Sequence, residues 1–130
     1  MGQQQLLLIV LGVIVVGIAV VVGINLFTAN AVSANRDGVV ADLTNLGAMA
    51  QQFYRKPTAM GGGGNSFAPT GLTAWSIPTK MDTTPNGVYI ATVAAQSVTI
   101  VGTGNELNAG AKIVHTATVN PTTISVVKTN

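Results

Sequence analysis

The chain has 130 residues, 48% of them hydrophobic and only 8% charged, with a net charge of +2 and no cysteine. A charged share about a third of the ordinary globular value leaves a free monomer poorly solvated, which favours a membrane or an assembly. The lack of cysteine excludes disulfides, thiolate metal sites and a cysteine nucleophile, and the six basic residues form no run, so no nucleic-acid contact is expected.

The amino-terminal third holds no charged side chain before Arg36. From Leu6 to Ile24 every residue is apolar or glycine, enough for a helix of about 28 Å, the thickness of a bilayer core. A secretory signal is one reading, and Ala29-Asn30-Ala31 has the small-x-small form of a cleavage site. Against it, the amino end lacks basic residues and the run exceeds the roughly 7–15 residues of a signal core. A plain membrane anchor is a second reading, but it normally carries Lys or Arg on its cytoplasmic flank. A basic leader removed ahead of Met1 would supply that charge.

A third reading continues the helix. No proline occurs before Pro57. Val39, Leu43, Leu46, Ala50 and Phe53 recur in steps of four and three, one face of an α-helix. Arg55 and Lys56 put positive charge in the last turn, and Pro57 ends it. The expected helix spans 1–56, with an apolar half at 1–27 and an amphipathic half at 28–56, about 80 Å in all. A rod that is apolar on every side must be surrounded by lipid or by copies of itself.

Residues 57–86 are rich in turn formers. Gly61 to Gly64 lack the following Lys-Ser or Lys-Thr of a phosphate loop and read as a sharp, close-packed exit from the helix. Phe67, Leu72, Trp75 and Ile77 are expected to pin this segment down. After the turn signal Pro85-Asn86-Gly87, residues 87–130 become β-like. "GVYIATV", "SVTIV", "AKIVHTATV" and "TTISVV" are separated by Gly102-Thr103-Gly104-Asn105, Asn108-Ala109-Gly110 and Asn120-Pro121, all turn chemistry. Val98 and Ile100 share a face, as do Ile113, His115, Ala117 and Val119. The expected fold class is α+β: the long helix packed on a four-stranded antiparallel sheet, ladle-shaped. Val39, Leu43, Leu46, Phe53 and Trp75 are expected to join helix to head.

Catalytic material is sparse. His115 is the only histidine, and its place in a strand points to a structural role. Asp37, Asp42, Asp82 and Glu106 are dispersed, with no pair suited to acid–base chemistry and no calcium loop. "GTGNEL" lacks the third glycine of a dinucleotide fingerprint and reads as a hairpin turn. No enzyme activity, cofactor or metal is expected.

The segment "GQQQLLLIVLGVIVVGIAV", followed by "AQQFYRKP" and "GGGGNSF", resembles the type IV pilins, over nearly the whole chain. The resemblance implies a prepilin cut by a prepilin peptidase, held in the inner membrane, then polymerised by assembly machinery into an extracellular filament of identical subunits. Its core would be built from Met1, Gln5, Leu6, Leu7, Leu8, Val10, Leu11, Gly12, Val15, Gly17, Val21, Gly23 and Ile24, with the glycines allowing close helix approach. Many pilins carry a glutamate at the fifth place of the mature chain. Here that place is Gln5 if Met1 is first and Leu7 if Gln3 is first. Many also have a proline where the helix melts on assembly. None is present here, and melting is expected near Gly17 to Gly23, where glycine and β-branched residues lower helix propensity. The alternatives are a pseudopilin of a type II secretion-like machine and a non-assembling, membrane-anchored β-domain.

Overall fold

The computed structural model describes residues 2–130. One helix, α1 (Gly2–Arg55), runs unbroken for 54 residues. A short 3₁₀ turn at Thr58–Met60 follows. Five strands complete the chain: β1 (Thr83–Thr84), β2 (Gly87–Val93), β3 (Val98–Asn108), β4 (Ala111–Val119) and β5 (Ile124–Lys128). They form one antiparallel meander in sequence order.

The exit from α1 is built by the glycine run. Four-residue helical bonding leaves the last carbonyls without partners, and the returning loop supplies them. Gly63 N–H donates to the Phe53 carbonyl at 2.8 Å, Asn65 N–H to Tyr54 at 2.7 Å and Gly64 N–H to Lys56 at 2.9 Å. A Cβ on Gly63 would strike the Ser66 carbonyl and lie 3.0 Å from the Phe53 ring. The run is thus a helix cap that only residues without a side chain can close up.

The second half of α1 covers one face of the sheet, crossing β3, β4 and β5. Val32, Val39, Leu43, Leu46 and Ala50 are buried on the helix side. Opposite them are Tyr89, Val98, Ile100, Ile113, Ala117 and Val119, with Phe67 and Trp75 from the connecting segment closing the end. Strand alternation explains the sheet residues: positions 113, 115, 117 and 119 of β4 all face inward. Phe53 and Ile77 are half-buried against this core.

Three details depart from the sequence expectations. The sheet has five strands, not four: the Pro85-Asn86 turn folds Thr83 and Thr84 back onto Val88 and Gly87, a pairing too short to leave any periodicity. Leu72 is exposed and pins nothing; Phe67 and Trp75 hold the segment. Gly102-Thr103-Gly104-Asn105 is no hairpin turn but lies inside β3. Gly102 and Gly104 face inward beneath α1. A Cβ on Gly102 would sit 3.0 Å from Val39 Cγ1, and one on Gly104 would collide with Asn35 Oδ1 and Ile113. These glycines let the helix lie close on the sheet. The pairing slips between Thr103 and Leu107, and the real reversal comes at Ala109 and Gly110, both with positive φ (51° and 83°).

Candidate functional site

The largest unsatisfied surface is the first half of α1. Leu6, Leu7, Leu8, Val10, Leu11, Val15, Val21 and Ile24 are each more than half exposed. Gln5 is exposed among them. Gly12, Gly17 and Gly23 have open space where a Cβ would stand. Met1 lies outside the described residues. The helix is apolar enough to cross a membrane, and no part of its most apolar window is buried. Treated as a cylinder about 28 Å long and 10 Å across, the run has a side wall on the order of 900 Å². Burying that area is worth roughly 20 kcal/mol, more than the whole stability of a typical domain. The largest apolar patch on a typical soluble monomer is about 300–600 Å².

The rod changes character just past Ile24. Thr28 Oγ1 donates to the Ile24 carbonyl at 3.0 Å, and Asn25, Asn30 and Ser33 are exposed. At this neck a cleft of about 560 Å³ opens between α1 and the tip of the β3–β4 hairpin. Asn25, Thr28 and Ala29 form one wall; Leu107, Asn108 and Ala109 form the other. Arg36 and Lys128 stand at its upper end, and no acid lines it.

The head is clasped to the rod by a polar knot that the sequence pattern did not disclose. Asp42 Oδ2 accepts from Tyr89 Oη at 2.6 Å, Thr84 Oγ1 at 2.8 Å and Asn86 Nδ2 at 3.1 Å. Asn35 Nδ2 donates to the Asn86 carbonyl at 2.7 Å, and its Oδ1 accepts from Glu106 N–H. Burial alone would raise the Asp42 pKa, but the three donated hydrogen bonds outweigh it and hold the carboxyl below its ordinary 3.8. Burial, then the bond to Asp42, pushes the Tyr89 phenol well above its ordinary value. Alternation along β2 places Tyr89 inward, but nothing in a linear pattern places its hydroxyl over Asp42.

His115 lies on the inner face of β4, 6% exposed, with Nδ1 unpartnered. Burial, then the nearby charges of Arg36 and Lys128, lowers its pKa, so the ring is neutral. Its cross-strand neighbours are Gly102 and Lys128, and it lies in line with the buried Ile113 and Ala117. Among the described residues, no three of His, Cys, Asp and Glu gather closely enough to hold a metal ion.

No family model, curated protein or solved structure matches the chain. By its architecture, a long helix apolar in its first half and amphipathic in its second, packed on a small antiparallel sheet, the chain has a pilin-like fold.

Proposed function

We propose that this protein is a structural subunit that polymerises through its apolar helix into an extracellular, type IV pilus-like filament. One observation carries the reading: the first half of α1 is exposed and apolar on every side. A single membrane anchor needs that half alone. It does not need a helix carried unbroken through the neck into a clamped head, which sets every head at a fixed height on its rod. In a polymer, neighbouring rods replace lipid around each helix, so the apolar surface stays out of water after extraction. The open glycine positions at 12, 17 and 23 suit close helix approach. Before assembly the same helix would hold the subunit in the inner membrane. A prepilin peptidase and assembly machinery belong to this reading, and catalysis does not.

The test is electron microscopy of filaments sheared from cells expressing the chain, with helical reconstruction. The expected density shows bundled rods at the centre and sheets outside. A detergent-soluble monomer with no polymer, on cells or after detergent removal, would establish the membrane-anchored β-domain instead. Short assemblies retained in the periplasm would establish the pseudopilin.

A further inference from the structure

The hairpin tip lies level with the end of the apolar run. Thr28 and Ala29, which face Leu107–Ala109 across the cleft, stand four and five residues beyond Ile24, about 6–8 Å along the axis. With Leu6 to Ile24 in a bilayer core, that height falls at the outer edge of the headgroup layer, which adds about 5–7 Å on each side. The tip then stands within reach of the headgroups. Leu107 is 52% exposed there, and its cross-strand partner is Lys112. Arg36 and Lys128 line the cleft, with no acid among its lining residues, and Arg36 Nη1 donates to the Asn130 carbonyl at 3.0 Å. Glu106, on the same hairpin, and Asp37, next to Arg36 on α1, are the acids nearest in sequence, against the three cations Arg36, Lys112 and Lys128.

We propose that the base of the head is a lipid-docking site: the β3–β4 tip enters the interface with Leu107, and the neck cleft seats the headgroup of an anionic phospholipid. The occupant follows from three features together. The cleft opens at headgroup height, its upper lining is cationic, and its lower end is continuous with the apolar rod. A leucine at a hairpin tip gains from leaving water, and lysines beside it keep their charge among phosphates. Docking fixes the tilt of the rod and the orientation of the head in the membrane before assembly. It rests on the reading that α1 is inserted in a bilayer, not on polymerisation itself.

The chain has no cysteine, so single labelling sites can be introduced cleanly. An environment-sensitive dye is placed on the full-length protein at Asn108→Cys (tip), Ala95→Cys (far end of the head) or Val15→Cys (mid-rod). Each is reconstituted in phosphatidylcholine vesicles with and without phosphatidylglycerol, carrying a headgroup-attached quencher. Quenching is expected at Asn108 and not at Ala95, rising with phosphatidylglycerol and falling at high salt. Lys112→Gln with Lys128→Gln should lower the docked-to-undocked ratio about 25-fold, at about fivefold per cation. Trp75 fluorescence checks that the head stays folded. A deep Val15 label with Asn108 as water-exposed as Ala95 would overturn docking while leaving insertion intact. A water-exposed Val15 label would overturn both. Shielding of Asn108 only once filaments form would make the occupant a second copy and overturn the lipid assignment. Electron microscopy of the same variants scores polymerisation separately.

Discussion

The Asp42 knot offers a quantitative test of how the head is held on its rod. Asp42→Ala removes the acceptor of three hydrogen bonds. Asp42, Thr84 and Asn86 are only partly buried, so water can replace the bonds from Thr84 and Asn86 at small cost. Tyr89 is different: it is 2% exposed, and its hydroxyl would keep only Thr84 within reach. A hydrogen bond to a charged group contributes about 1.5–3 kcal/mol, and a stranded buried donor costs about 1–3 kcal/mol, the two being different views of the same loss. A net destabilisation of about 2 kcal/mol is expected, which for a head of this size lowers Tm by roughly 10 °C. Tyr89→Phe should cost less, because the carboxylate keeps its bonds from Thr84 and Asn86 and is partly open to water. The assay is thermal and urea unfolding of the full chain in detergent, followed by Trp75 fluorescence, for both single variants and the double variant. A coupling of about 1.5 kcal/mol or more is expected from the cycle. Because the folded pKa of Asp42 is depressed, its contribution is present above the ordinary value of 3.8 and lost as pH falls through the lower folded value. Asp42→Asn should flatten that acid limb. Additive single effects, or an Asp42→Ala cost below about 0.5 kcal/mol, would refute the assigned role.

Gly104→Val should destabilise the head by about 1–3 kcal/mol or prevent folding, since its side chain would meet Asn35 and Ile113; urea midpoints against an exposed Thr118→Val control measure it. Gly17→Ala, with open space around it, should favour the helix by up to about 1 kcal/mol, and in the polymer it should suppress the melting expected between Gly17 and Gly23. Filaments of the unaltered chain with a continuous helical ladder through those residues would contradict that expectation. The depressed His115 pKa, like that of Asp42, makes stability fall as pH falls, but in the window that opens below 6.5. At pH above 6.5 the ring is neutral folded and unfolded alike and contributes nothing. As pH falls below 6.5 the unfolded chain takes up the proton first, so stability declines until the folded value is passed. His115→Leu should remove that decline, which paired urea titrations above and below pH 6.5 would read.

Much of the architecture was legible because it follows from single-element periodicities. A long apolar run without proline can only be a helix with a large buried requirement, and the spacing of Val39, Leu43, Leu46, Ala50 and Phe53 names the face that meets the head. Alternation placed Ile113, Ala117 and Val119 on one side of a strand in the same way. Glycine was ambiguous: Gly61–Gly64 read correctly as a close-packed helix exit, whereas Gly102 and Gly104 were read as a turn. The residue type is the same in both places, but a turn demands backbone freedom and a close crossing demands absence of bulk. Only the position of α1 above β3 tells them apart. The Asp42 knot was illegible for a related reason, since Asp42 lies more than 40 residues from its three donors in sequence and polar partners leave no periodic trace. The same holds for the neck cleft, which exists because the β3–β4 hairpin runs past its bulge until its tip stands beside Thr28. By itself the sequence determined that the first half of the long helix is apolar on every side. The tertiary structure decided how the head is fastened to the rod, and at what height above the apolar run its base is held.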